Sequence, residues 1–431
     1  MQTDAIYNLF QQSKGISTDT RSIEQGQLFF ALSGPNFNAN KFAQMAIDKG
    51  AIAAVVDHAD YVAGDKFILV EDCLAQLQAL ANHHRNQLKC TVIAVCGSNG
   101  KTTSKELIAR VLESNFNTFF TPGNFNNHIG VPLSLLMLLP EHEYAVIEMG
   151  ANHAGEHELL CQIAEPDFGV ITNNGKDHLE GFGSIEGVIK ANAELFDYLE
   201  SNLKTAFVNA DDDVLMTNSE NIARICYGTN SNTDCQVSLL STFPFTKVKL
   251  NFNTPEACEV VSSNMFGSFQ QYNLALAACI GNHFDVPAEK IKDALESYKP
   301  ANMRTQLTQW QRNDILLDAY NANPSSVMAI LSDFVKFNHA KKGVVLGDML
   351  EMGEASFSEH KAVVGFLKQH QFSFVALVGK EFSEHQVDGF HYFEKNTDAK
   401  SWLLENGIND HYILIKGSRG LKLEEIVKLE S

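Results

Sequence analysis

The chain has 431 residues, more than one ordinary hydrophobic core can organise, and points to about two to four domains. Apolar residues make up 45% of it, so there is ample material to bury. Lys and Arg total 33 against 52 Asp and Glu, a formal charge of −19 that argues against a broad nucleic-acid or anionic-membrane surface but leaves room for an anionic small molecule in a local pocket.

The N-terminus, MQTDAIYNLFQQSKG, has no basic stretch leading into an apolar run, so no signal peptide is expected. Residues 1–85 read as a first unit. Its short apolar segments 28-LFFAL-32, 51-AIAAVV-56 and 67-FILV-70 are separated by Gly, Asn and Asp, and a helical stretch 73–88 closes it. Residues 86–303 read as a second unit. Unbroken apolar runs at 91-TVIAVC-96, 144-YAVIEM-149, 168-FGVIT-172 and 205-TAFVN-209 suit strands of a parallel sheet covered on both faces. The longest apolar run, 131-VPLSLLMLLP-140, is too short to span a bilayer. A different style follows at 235-CQVSLL-240, 247-KVKLNFN-253 and 257-ACEVV-261, where apolar and polar residues alternate as in half-buried antiparallel strands. Helices at 270–283 and 288–298 end the unit. Residues 304–431 restart the α/β alternation, with strands at 314-DILLDAY-320, 343-GVVLGD-348, 373-SFVALVG-379 and 412-YILIKG-417. The eight cysteines form no C-x-x-C pair and mostly sit among apolar neighbours, which suggests a reducing, cytoplasmic setting rather than a disulfide framework.

The chemistry gathers around 96-CGSNGKTTSKEL-107. A strand runs into Gly97, and an amphipathic helix starts near Lys101 with Leu107, Ile108, Val111 and Leu112 on its buried stripe. That context suits a phosphate loop. Backbone N–H groups at a helix N-terminus attract phosphate, and glycine lets the backbone approach it. Lys101 is expected to neutralise the terminal phosphate oxygens and the Thr102 hydroxyl to ligate Mg²⁺. The general loop pattern G-x-x-x-x-G-K-[ST] asks for a glycine at position 95, where this chain has Val95. In a parallel sheet the carboxyl ends of the strands share one edge, so Glu148 and His178, which follow two other strands, can converge on Thr102. Each has a structural alternative, a paired carboxylate for Glu148 and a loop hydrogen-bonder for His178. Asn124, Asn126 and Asn127 can orient phosphate oxygens or simply form a turn.

These motifs together resemble the ATP-dependent Mur ligases of peptidoglycan synthesis, whose loop is typically T-G-x-x-G-K-T-T, without the outer glycine. Here it is Gly97, Ser98, Asn99, Gly100, Lys101, Thr102 and Thr103. The resemblance covers nearly the whole chain, through 17-STDTRSIEQGQLFFALSG-34, 123-GNFNNHIGVP-132, 147-IEMGANHAGE-156, 172-TNNGKDHLEGFG-183, 209-NADD-212, 318-DAYNANPSS-326, 347-GDMLEMGEAS-356 and 416-KGSRG-420. The N-A-N-P run resembles the branch that adds D-alanyl-D-alanine. The implied fold is α/β with three domains: a small α/β N-terminal UDP-binding domain (1–85), a central P-loop parallel-sheet ATPase domain with an added antiparallel sheet (86–303), and a C-terminal Rossmann-like α/β domain that binds the incoming dipeptide (304–431).

The resemblance implies ATP and Mg²⁺ as cofactors and UDP-N-acetylmuramoyl-tripeptide and D-alanyl-D-alanine as substrates of a monomeric, cytoplasmic ligase. It assigns catalysis to Lys101, Glu148 and His178, and metal ligation to Thr102, Glu148 and His178. Nucleotide contacts fall to the loop, Asn273, Arg304 and Asp318. Asp19, Thr20 and Arg21 are expected to hold the uridine diphosphate end, Asn126 and Asn127 to line the substrate site, and Asn321, Asn323, Lys416 and Ser418 to meet the dipeptide. Three departures stand out. Asn192 occupies the place of a lysine carbamylated in known members. In 267-GSFQQYN-273, Phe269 and Gln270 replace the family's His and Asn. Cys96 replaces a Thr before the loop. The alternatives are a sister ligase adding a diamino acid or glutamate, and a P-loop ATPase acting on a partner protein.

Overall fold

The structure, a computed structural model, describes residues 2–252 and 258–428. Among these residues the strands form one four-stranded, one nine-stranded and one six-stranded sheet, plus a two-stranded hairpin. The first sheet orders Ile16–Ser17, Leu28–Phe30, Ala53–Val56 and Phe67–Leu69 in parallel. Its helix Cys73–Gln87 begins where the Asp72 carboxylate accepts the Ala75 N–H at 2.8 Å.

The nine-stranded sheet is the scaffold of the site. Thr91–Cys96 lies inside it, third from one edge, between Phe168–Ile171 on one side and Tyr144–Glu148 on the other, and all three run parallel. The strand burial is nearly complete, as their unbroken apolar composition requires. The antiparallel strands extend this same sheet rather than forming a separate one. Cys235–Ser241 pairs in parallel with Ala223–Gly228, and Lys247–Phe252 runs antiparallel to both of its neighbours, Cys235–Ser241 and Cys258–Ser262. Ala223–Gly228 makes the link, and its exposed start hides it from a search for apolar runs. Asn253 and Ala257, expected at the strand ends here, lie outside the described residues.

The six-stranded sheet orders Gln306–Trp310, Asn313–Asp318, Tyr412–Lys416, Lys342–Gly347, Phe374–Val378 and His391–Phe393. Only the first pair is antiparallel. Asp318 and Lys416 are register partners at the carboxyl ends of adjacent strands. An apolar cluster runs without a break from Ile6, Phe29 and Leu77 of the first unit to Ala94, Ile147 and Leu195 of the second. The last unit has its own clusters, and one of them takes in Leu179, Val188 and Phe266 from the centre, with Phe182, Ile185 and Phe269 packed against it. Polar contacts tie that unit to the middle as well. Asp333 accepts both the N–H and the hydroxyl of Ser268, at 2.6 and 2.8 Å.

Candidate active site

The phosphate loop spans the gap between Thr91–Cys96 and the helix Lys101–Glu113. Gly97 and Gly100 hold φ of +115° and +84°, a region other residues enter at a cost. Leu107, Ile108, Val111 and Leu112 are all buried, so the helix is anchored through its apolar stripe while its first turn faces the site. The Lys101 ammonium folds back onto the carbonyl oxygens of Gly97 and Ser98. The neighbouring strand end braces the loop. Asn173 accepts the Asn99 N–H at 3.1 Å and donates to the Asn99 carbonyl at 2.8 Å. The Ser98 hydroxyl donates to Asp177 at 2.6 Å.

Glu148 ends the strand beside the loop, in register with Val95. Its Oε1 accepts the Thr102 hydroxyl at 3.1 Å and the Asn126 amide at 2.9 Å. Its Oε2 is buried without a hydrogen-bond partner. The Lys105 ammonium stands 3.4 Å from that oxygen, so the contact is an ion pair lacking hydrogen-bond geometry, and Lys105 bonds instead to the Thr121 carbonyl at 2.8 Å. An under-satisfied carboxylate beside a threonine hydroxyl is a hard oxygen donor set, which fits a divalent cation such as Mg²⁺. Among the described residues no three His, Cys, Asp or Glu side chains cluster as a metal cage.

A cleft of about 990 Å³ joins the loop to the last unit. Ser98, Asn99, Gly100, Lys101, Thr102 and Thr103 line it, with Glu148, His178, Asn126, Asn127, Asn273, Arg304, Asp318, Asn321, Asn323 and Lys416. Asn273 packs beside Gly100 and accepts the Ser104 hydroxyl at 3.1 Å. The Arg304 guanidinium lies 3.8 Å from the centre of the Tyr320 ring, a cation–π contact that holds it at the cleft wall. Lys416 is buried, donating to Asp318 at 2.6 Å and to the Asn321 carbonyl at 3.0 Å. Asn323 caps the helix Pro324–Lys336 through a capping box, and its amide donates to Asn99 of the phosphate loop at 2.8 Å. The N-A-N-P run is thus a helix start whose cap also borders the cleft.

The structure separates other expected residues from the cleft. Gly97 is buried under Thr172, and serves as loop geometry rather than lining. Ser418 is not part of the lining either; its buried hydroxyl accepts the Leu350 N–H at 2.9 Å. Asn127 borders the cleft, but its side-chain oxygen accepts the Ile129 and Gly130 N–H groups at 3.1 and 2.8 Å, the turn-forming alternative. Asp19, Thr20 and Arg21 lie away from the cleft lining, in the first unit. There Arg21 chelates Asp19 and holds its carboxyl down to about 2. Burial pushes the Cys96 thiol up to about 12, which suits a packed strand-end residue and not a nucleophile. Asn192 is buried and donates to Asn174 at 2.8 Å, whereas Lys190, two positions earlier, is exposed. Gln270 is committed to Thr305 and Asn273 at 3.3 and 2.8 Å, so it braces the junction. Sequence reasoning missed Lys105, Asp177 and Glu351. All three lie inside the motifs quoted above, and Lys105 also stands four residues from Lys101 and so on the same helix face.

A phosphate loop and a buried carboxylate facing a second α/β unit across one cleft define a nucleotide-dependent enzyme that couples phosphoryl transfer to a second substrate. The profile of the Mur ligase middle domain matches residues 95–281, and that of the Mur ligase glutamate ligase domain matches residues 303–419. The chain belongs to the Mur ligase family. It is 34% identical over 435 residues to the UDP-N-acetylmuramoyl-tripeptide–D-alanyl-D-alanine ligase of Bacillus subtilis, covering 96% of this chain and 92% of that one. It is also 34% identical over 427 residues to the enzyme of that name from Escherichia coli, with coverage of 96% and 92%. The structure superposes on MurF from Acinetobacter baumannii with a TM-score of 0.86 at 27% identity, covering 98% and 97% of the two chains. MurF from Thermotoga maritima in complex with ADP gives a TM-score of 0.86 at 25% identity, with 97% of each chain covered.

Proposed function

We propose that the protein is an ATP-dependent, ADP-forming ligase that joins D-alanyl-D-alanine to UDP-N-acetylmuramoyl-tripeptide in peptidoglycan precursor synthesis. The observation that carries this reading is the cleft. It brings Lys101, Thr102 and Glu148 of the central unit together with Asn323 and Lys416 of the last.

The tripeptide carboxylate attacks the ATP γ-phosphorus and ADP leaves, giving an acyl phosphate. The dipeptide amine then attacks the acyl carbon, loses a proton and expels phosphate. Activation is needed because a free carboxylate has no leaving group. The chain contributes positioning and charge. The loop N–H groups and Lys101 cradle the phosphates. Arg304 and Asn273 hold the nucleotide, with Asp318 keeping Lys416 in place. Lys416, Asn321 and the Asn323-capped helix N-terminus suit the dipeptide carboxylate. Thr102, Glu148 and His178 would hold Mg²⁺, which neutralises the phosphate oxygens when bound. Residues 1–85 carry the uridine diphosphate end through Asp19, Thr20 and Arg21, residues 86–303 form the ATP domain, and residues 304–431 form the dipeptide domain. No described helix is long and apolar enough to cross a membrane, and a monomer working in the cytoplasm fits this reading.

Incubating the protein with ATP, UDP-N-acetylmuramoyl-tripeptide and D-alanyl-D-alanine should yield the pentapeptide by mass, with little phosphate release until both acceptor and donor are present. Joining of a single amino acid instead would refute the assignment. Asn192 gives a second expected result. An amide cannot be carbamylated, so depleting bicarbonate should leave the rate unchanged, and strong restoration by added bicarbonate would contradict the role given to that position.

A further inference from the structure

His178 and Glu351 come from different units and meet across the cleft. His178 sits in the left-handed region, at φ +46°, before the short helix Leu179–Phe182. Its Nδ1 lies 2.5 Å from Glu351 Oε2. A carboxylate only accepts, so Nδ1 carries a proton and Nε2 is the ring nitrogen left for another partner.

Glu351 is not a chance surface partner. Its own φ is +63°, and its carbonyl accepts the Glu180 N–H at 3.1 Å, so backbone and side chain both engage the segment that carries His178. The turn before it is pinned. The Met349 N–H donates to His360 Nε2 at 3.0 Å, and the Leu350 N–H donates to Ser418 at 2.9 Å. Asp348 accepts the Glu381 and Phe382 N–H groups, both at 3.0 Å. Met349 and Met352 pack in the same apolar cluster as Leu179. A rigid turn of the last unit therefore presents one carboxylate to one ring nitrogen of the central unit.

We propose that Glu351 is a positioning residue: by fixing the tautomer and orientation of His178, docking of the C-terminal unit completes the cation-binding face of the central unit. This rests on the proposed function and extends it, since it makes cation affinity depend on closure. Removing an outer partner of a ligating histidine typically costs about 10–100-fold in metal affinity.

The test is binding of a non-hydrolysable ATP analogue to the full chain, titrated with Mg²⁺. Glu351→Ala should raise the Mg²⁺ concentration for half-saturation by about 10–100-fold. Glu351→Gln, whose amide oxygen can still accept from Nδ1, should recover most of that loss. Lys176→Met removes a different ion pair between the same units, Lys176–Glu359, without touching His178, and should leave the Mg²⁺ requirement unchanged. In hydrogen exchange, the Glu180 amide should lose protection in Glu351→Ala if the turn lets go and keep it if only the side-chain contact is lost; in either case the Mg²⁺ shift must appear. Wild-type Mg²⁺ dependence in Glu351→Ala overturns the inference while leaving the ligase reading intact. An equal shift in Lys176→Met overturns it too, because docking alone would then explain the effect. Failure of the wild-type protein to bind the nucleotide at all overturns both.

Discussion

Lys101→Ala is expected to lower the rate of pentapeptide formation by about 10²–10³-fold, the range seen when one preorganised donor to a developing charge is removed. The fold should survive. Among the described residues the Lys101 ammonium bonds only to the carbonyl oxygens of Gly97 and Ser98, in its own loop, and the helix behind it is anchored by Leu107, Ile108, Val111 and Leu112. On the proposed reading, the ammonium is expected to exchange those carbonyls for phosphate oxygens carrying full charge, a stronger partner. Product formation and thermal melting measured side by side check this. A normal melting curve with an undiminished rate would falsify the role given to Lys101.

Glu148→Ala should act on stability as well as on chemistry. Glu148 and Lys105 are each about 1% exposed, and the substitution leaves the Lys105 charge buried with carbonyl partners only. Breaking a buried pair from one side costs about 3–5 kcal/mol. Asn126 and Thr102 also lose their acceptor. Glu148→Gln keeps an oxygen for those two donors but not the charge, so it should fall between wild type and alanine. Denaturant unfolding reads the effect directly. A loss below about 1 kcal/mol, the range of an exposed pair, would mean that water reaches Lys105 freely.

The parts of this architecture that announce themselves in the sequence are those in which one residue type serves one physical end. The strands Thr91–Cys96, Tyr144–Glu148 and Phe168–Ile171 are buried on both faces, so their composition is uniform and their place in a parallel sheet is plain. The phosphate loop is legible because glycine and lysine are needed at fixed spacing. Gln306–Trp310 is silent in the sequence because it is an edge strand, pairing on one side, and carries polar residues. The join between the parallel strands and the antiparallel extension is hard to see in the sequence because its connecting strand, Ala223–Gly228, begins with exposed residues. Lys105 reads as a solvated charge on an amphipathic helix until Glu148, on another strand, turns out to face it. Glu351 illustrates the same limit over a longer range, since its meaning lies in His178, a residue of another unit. Ser418 and Asn127 show the converse: polar residues within recognisable motifs that the local backbone has claimed.

The apolar cluster shared by the first two units has a consequence for substrate choice. Ile6, Phe29 and Leu77 are continuous with Ala94, Ile147 and Leu195, and Arg85 clamps the joint by pairing with Asp167 at 2.8 Å. Two bodies fused in this way work as a ruler. If the first unit grips the sugar nucleotide, the reach from that grip to the phosphate loop is set by the scaffold, and a peptide stem of the wrong length brings its carboxylate up short of the γ-phosphate or past it. Selection by stem length would then need no side chain dedicated to counting residues, and the last unit would be left free to judge only the incoming amine.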